Sequence, residues 1–352
     1  MVRSRACIGP CTGVRSLEDD ATPFKTQETV TIQPRPTVGP WPKLRHTSRD
    51  SPWGRMTADK LPFSAEYTCV RDGTGVDIYL VDTGIRDTHQ EFGGRATKLD
   101  GWNALHYHGT FCASNAAGNT LGIAKGSLIW MAAGLRNPDN TGSISDLLTA
   151  INACLTHYNG RSATDRPAVL SMSFSSSGSG SGSSSYSSAM ASCTAAGIVC
   201  LAAAANDAQW LDTWYAYPAE DPNVICVGGC NMDDGPYWVN GFGSNYGLQV
   251  DILGGSQDCR GADMTADDAY RTGNGTSFGT PYVAGVVACI LQPYRRLTSA
   301  AQVQQVGVYL YEQATKGRYR PDARQAPMTD AIAYLDPSAG PWPPIPSLVL
   351  KT

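Results

Sequence analysis

The stretch Gly273-Asn274-Gly275-Thr276-Ser277-Phe278-Gly279-Thr280-Pro281 crowds glycines around a serine, and an apolar helical pattern begins inside it. Phe278, Tyr282, Val283, Val286, Val287, Ile290 and Leu291 recur at spacings of three and four, which marks one face of a helix. Pro281 is read in the first turn, where a missing N–H leaves nothing unsatisfied. A serine at a helix N-terminus has unpaired backbone N–H groups beside it that can stabilise a developing oxyanion. It is also an ordinary N-cap residue. A serine hydroxyl attacks a carbonyl only with a partnered base, so the rest of the chain decides between the two.

Two other islands supply partners. Residues 76–84 read as a strand that delivers Asp82 at its carboxyl end, followed by Thr83-Gly84. His108-Gly109-Thr110-Phe111-Cys112-Ala113 opens a helix of small residues. Taken singly, Asp82 is a turn-former before Thr-Gly and His108 a satisfied polar residue. Together with Ser277 they are the trio that acyl transfer needs: a nucleophile, an imidazole that takes its proton, and a carboxylate that fixes the imidazole's tautomer.

The intervening sequence alternates short apolar runs, at 76–81, 127–133, 168–174, 197–204 and 224–228, with helical patterns. The best helix covers 144–158, with Ile144, Leu147, Leu148, Ile151, Leu155 and Tyr158 on one face, Ser143 as its cap and Asp146 at the capping-box position. This alternation predicts an α/β fold, a parallel sheet covered on both faces, whose active site gathers at the carboxyl ends of strands. The Ser/Gly-rich run 175–188 reads as a flexible surface loop.

Composition narrows the field. The 352-residue chain carries a net charge of −4 with 16% charged residues, and no Lys/Arg block argues for nucleic acid. No apolar stretch is long enough to span a membrane. Eleven cysteines include no CxxC pair, which disfavours zinc; Cys154, Cys200, Cys226 and Cys289 lie in apolar runs and read as core. Residues 1–50, rich in Pro, Thr and Arg, read as an extended arm, with 51–336 the folded domain and 337–352 a Pro-rich tail. Ser51-Pro52-Trp53-Gly54 reads as an aromatic anchor. Residues 1–20 lack the apolar core of a secretory signal.

Gly275-Thr276-Ser277-Phe278-Gly279 also fits the GxSxG elbow of α/β-hydrolase esterases, whose histidine follows the serine. All five histidines here (His46, His89, His106, His108, His157) precede Ser277. That order excludes the esterase arrangement and leaves Asp, His, Ser.

In Asp82-Thr83-Gly84, His108-Gly109-Thr110 and Gly275-Thr276-Ser277 with Thr280-Pro281 and Ala284-Gly285, the chain resembles the subtilisin-like serine proteases (subtilases), and most of all their proteinase K branch. Pro52-Trp53-Gly54, His89-Gln90-Glu91-Phe92 and Asn245-Tyr246-Gly247 resemble that branch too. The resemblance implies a three-layer fold with a central, mostly parallel sheet flanked by helices, and endopeptidase activity as a monomer on polypeptides. It implies Asp82, His108 and Ser277 as triad, and Asn206, after Ala203-Ala204-Ala205, as oxyanion donor. Substrate would pair between Gly142-Ser143-Ile144 and Ser173-Phe174-Ser175, its primary side chain walled by Phe174, Ser175 and Ala203 to Ala205. Relatives usually carry glycine at the Ser175 and Ala205 positions, so a shallower pocket is expected. Calcium would be held by Pro222, Val224 and Asp251.

The match has gaps. No cysteine follows Leu291, so a disulfide that relatives anchor there cannot form, and Cys112 is expected to be a free thiol. Relatives are secreted with a folded pro-domain; neither a signal nor such a segment is read here, which leaves the compartment open. The sequon at Asn274 is expected to stay unglycosylated beside the nucleophile. A non-catalytic subtilase-fold binding protein remains the alternative.

Overall fold

In the computed structural model, the described residues are 24–25, 70–161, 166–177, 183–321, 328–335 and 344–350. The expected anchor at 51–54 and most of the arm lie outside them. The core is a seven-stranded sheet in the order β13-β10-β8-β6-β2-β4-β3. Its strands are β2 (Asp77–Asp82), β3 (Ala96–Lys98), β4 (Leu128–Ala133), β6 (Ala168–Met172), β8 (Ile198–Ala203), β10 (Val224–Cys230) and β13 (Ile252–Gly255). Every pairing in it is parallel. β2, β6 and β8 are buried along their whole length, the pattern of strands covered on both faces.

One face is covered by α1 (His108–Ala117), α4 (Thr276–Leu291) and α5 (Ala300–Gln313), the other by α2 (Ile144–Gly160) and α3 (Ser183–Ala195). The three-layer reading therefore holds. The Ser143 side chain accepts from Asp146 N at 3.1 Å, the cap expected for α2. Of the face read for that helix, Ile144, Leu147, Ile151 and Tyr158 are buried, joined by Ala150 and Cys154, while Leu148 and Leu155 are half-buried.

Two expectations need correction. The loop reading of 175–188 fails at both ends. Ser176–Ser177 (β7) pairs antiparallel with Ala216–Tyr217 (β9), and α3 begins at Ser183. Tyr186, Met190 and Cys193, spaced four and three, bury one side of that helix among its serines. Pro281 is not in the first turn, because α4 begins at Thr276. Gly275 is the N-cap with φ 153°, a conformation suited to glycine. Pro281 thus has no N–H for the carbonyl of Ser277 four residues earlier. That carbonyl accepts instead from Ser173 Oγ at 2.8 Å and Cys112 Sγ at 3.4 Å.

Two peripheral segments join the body. Phe24–Lys25 (β1) pairs antiparallel with Thr141–Gly142 (β5), in the register Phe24↔Gly142 and Lys25↔Thr141. Near the carboxyl end, Ile345 is buried in the core, and Arg295 N donates to Val349 O at 2.7 Å.

Candidate active site

The sheet brings the sequence islands to one edge. β2 ends at Asp82, β6 ends one residue before Ser173, and β8 ends three residues before Asn206; these strands are neighbours in the order β8-β6-β2. His108 opens α1, and Ser277 lies in the first turn of α4.

His108 Nδ1 and Asp82 Oδ1 are 2.7 Å apart and fully buried. The same oxygen accepts from Thr83 N at 2.7 Å. Thr83 Oγ1 accepts from Gly109 N at 2.9 Å and donates to His106 O at 3.0 Å, which ties the end of β2 to the start of α1. Asp82 Oδ2 is buried with no hydrogen-bond partner among the described residues.

Ser277 is 2% exposed, and its hydroxyl donates to Ser173 O at 3.2 Å. Cys112 Sγ connects serine and imidazole, 3.4 Å from Ser277 O and 3.9 Å from His108 Nε2. The His108 ring also packs against Phe278, with centroids 5.5 Å apart. Asn206 Oδ1 accepts from Thr276 N at 2.8 Å and from Thr276 Oγ1 at 3.0 Å. The asparagine is thereby locked to the first turn of the serine's helix.

The other predicted positions lie around this centre. Gly142 belongs to β5, Ser143 caps α2 and Ile144 begins it. Ser173, Phe174, Ser175, Ala203, Ala204 and Ala205 are all buried, Phe174 packing near Tyr186 with centroids 6.5 Å apart. Ala205 has φ 70°, a left-handed conformation that favours glycine. Asn274 is buried, its Oδ1 accepting from Asp258 N at 2.6 Å, which leaves its sequon inaccessible.

Pro222, Val224 and Asp251 gather elsewhere, at the amino ends of β10 and β13. There Cys226 N donates to Asp251 Oδ2 at 2.9 Å, and Val224 opens its strand two residues after an exposed proline. Among the described residues, Asp82, His108 and Cys112 alone form a trio of metal-type donors, within 4.8 Å of one another. Burial pushes the Cys112 thiol up to about 12, which keeps it protonated and a poor ligand. The eight described cysteines are all buried, and none of them is in a disulfide.

A model of the subtilase family matches residues 73–320. This chain belongs to the subtilase family. The resemblance read from its motifs is borne out at that level. An extracellular serine proteinase of Thermus sp. (strain Rt41A) is 31% identical over 283 residues, 77% of this chain and 64% of the relative. A cuticle-degrading serine protease of Arthrobotrys oligospora is 31% identical over 253 residues, 68% of this chain and 58% of the relative. The crystal structure of a cold-adapted subtilisin-like serine proteinase superposes with a TM-score of 0.67 at 26% identity, covering 85% of this subtilase and 98% of that chain. The chain spans 52% to 64% of the length of the first curated relatives it matches.

Sequence reasoning missed three features around the site. The donors to Ser277 O follow only from where Pro281 falls within the helix. The β1–β5 pair joins residues far apart in sequence and leaves no periodic signal. The donors that Thr120 N, Leu121 N and Tyr270 Oη turn on the Glu91 carboxylate come from segments distant in the chain, which a local motif does not reveal.

Proposed function

We propose that this subtilase is a serine endopeptidase acting as a monomer on polypeptides. Ser277 Oγ attacks the scissile carbonyl as His108 Nε2 takes its proton; the imidazolium is held by Asp82 and then protonates the leaving amine. Asn206, with Oδ1 held by Thr276, offers its Nδ2–H to the oxyanion together with the Ser277 backbone N–H. The buried Asp82–His108 contact of 2.7 Å beside the first turn of α4 carries this reading. Attack requires the Ser277 hydroxyl proton to be directed to His108 Nε2 in place of Ser173 O.

Substrate adds as a strand between 142–144 and 173–175. The pairing of β5 with Phe24–Lys25 supports an edge that accepts an antiparallel strand, and substrate would take the place of that pair at Gly142. Ser175 and Ala205 make the primary pocket shallow, so a peptide library dominated by Phe or Trp before the cleaved bond would contradict it. Pro222 and Val224 carbonyls with the Asp251 carboxylate are hard oxygen donors suited to calcium, which would brace the amino ends of β10 and β13. A chelator should lower the melting temperature, and Asp251→Asn should abolish that response.

The Ser277–Ser173 hydrogen bond also favours a second reading, a binding protein of this fold whose serine stays at rest. Labelling by a fluorophosphonate separates the two. Labelling of the wild type that is lost in Ser277→Ala supports the enzyme; a folded wild type that takes no label supports the binding protein.

A further inference from the structure

His157 lies in the last turn of α2 and takes no part in the site described above. Its Nδ1 meets the hydroxyl of Tyr79 at 2.9 Å. Tyr79 belongs to β2, the strand that ends at Asp82, and is fully buried. Its hydroxyl has no other hydrogen-bond partner among the described residues. Burial, aided by Asp77, pushes the pKa of this phenol up, so it keeps its proton. It therefore donates to Nδ1, which makes Nδ1 the bare nitrogen of a neutral imidazole.

The remaining contacts hold the ring in place. Trp130 of β4, the register partner of Tyr79, has its ring centroid 4.2 Å from that of His157. The guanidinium of Arg161, the C-cap of α2, lies 4.8 Å from the centroid of the same indole. Arg161 also pairs with buried Asp77 at 3.3 Å, and Arg166 reaches the other oxygen of Asp77 at 2.8 Å. Tyr158 packs edge-on against Tyr79 at 6.2 Å, with Arg296 3.7 Å above it. The charged and titratable groups around His157 are thus Asp77 and Tyr79 from β2, Tyr158 and Arg161 from α2, and Arg166 and Arg296 from the segments beside them.

A proton on His157 would have two consequences. Nδ1–H would point at the Tyr79 hydroxyl, whose own proton would lose its acceptor in a buried place. A second cation would also stand one helical turn before Arg161, a like-charge pair at i, i+4. Asp77 pulls the other way, but it already faces two guanidinium groups.

We propose that His157, Tyr79 and Arg161 form a pH-sensitive latch, in which neutral His157 fastens the last turn of α2 to β2 and its protonation releases that turn. Burial, then Arg161, holds the imidazole below its ordinary 6.5 against the pull of Asp77. The unfolded chain therefore takes this proton first as pH falls. The stability the latch supplies is whole above 6.5 and is lost as pH drops through the folded value.

The test combines an NMR titration of the histidine side chains with urea unfolding between pH 7.5 and pH 5, using the wild type, His157→Gln and Arg161→Gln. His157 should titrate below 6.5 in the wild type and closer to it in Arg161→Gln. The urea midpoint should decline more steeply in the wild type than in His157→Gln, whose amide oxygen accepts from Tyr79 without titrating. The other histidines are common to both proteins and cancel in the comparison. Amide exchange at 155–161, corrected for its intrinsic pH dependence, should accelerate several-fold at the acid end in the wild type alone. A wild-type His157 that titrates at or above 6.5, or parallel declines in wild type and His157→Gln, overturns the inference. Should His157→Gln not fold, the wild-type titration decides by itself.

Discussion

The hydroxyl of Ser277 donates to the carbonyl of Ser173, and the hydroxyl of Ser173 donates back to the carbonyl of Ser277. The reciprocal pair exists because Pro281 brings no N–H to the helix at that point. Ser173→Ala should destabilise the fold by about 1 kcal/mol, the usual net value of one hydrogen bond, and lower kcat by loosening the backbone of the proposed nucleophile. Pro281→Ala, which restores a helical donor to Ser277 O, should recover part of that stability in the double variant. Urea unfolding of the singles and the double reads the coupling; additive losses would separate the two residues.

Asn206 holds Thr276 and, in the proposed mechanism, also donates to the oxyanion, two roles that one substitution can divide. Asn206→Asp keeps an oxygen for Thr276 N and Oγ1 but removes the amide donor. Its kcat should fall about 10²- to 10³-fold, the loss typical of a missing oxyanion donor. KM should change far less. Wild-type kcat would show that the asparagine serves only to hold α4.

Glu91 should make stability depend on pH. It is buried and accepts from Thr120 N and Leu121 N at 2.9 and 3.1 Å, from the Thr120 hydroxyl, and from Tyr270 Oη at 2.9 Å. Burial alone would raise its pKa, but these donors outweigh it and hold the carboxyl below its ordinary 4.5. The unfolded chain therefore takes the proton first as pH falls. The stability Glu91 supplies is whole above the ordinary value and lost as pH drops through the folded one. Urea midpoints should decline across that window in the wild type, and Glu91→Gln should flatten the decline.

Ala205 tests a strained position. Its φ of 70° should make Ala205→Gly stabilising by about 1 kcal/mol, the left-handed penalty of an L-residue. The same change removes a methyl from the proposed pocket. A higher melting temperature with wider acceptance of large side chains is expected; a lower one would show that the site is not strained.

Much of this was legible in the sequence for local reasons. β2, β4, β6, β8 and β10 are apolar runs of five to seven residues, and each was read within a few residues of its bounds. Asp82, His108 and Ser277 were found because each stands in a distinctive junction. β13 escaped because Ile252-Leu253-Gly254-Gly255 is short and half glycine. The hairpin Cys259–Ala262 with Tyr270–Gly273 escaped because its strands are short and carry Gly and Arg in place of an apolar alternation. The first turns of α3 were hidden because serine is frequent in loops and its buried stripe is sparse. The place of Pro281 depended on where the helix starts, which glycine at the cap sets and periodicity does not.

All sixteen residues of α4 are buried. The serine is thus carried on a rod sealed inside the molecule, not on a surface element that can fray separately. Warming should leave turnover intact until the interior gives way as a unit, so heat inactivation and the collapse of near-ultraviolet dichroism should trace a single curve.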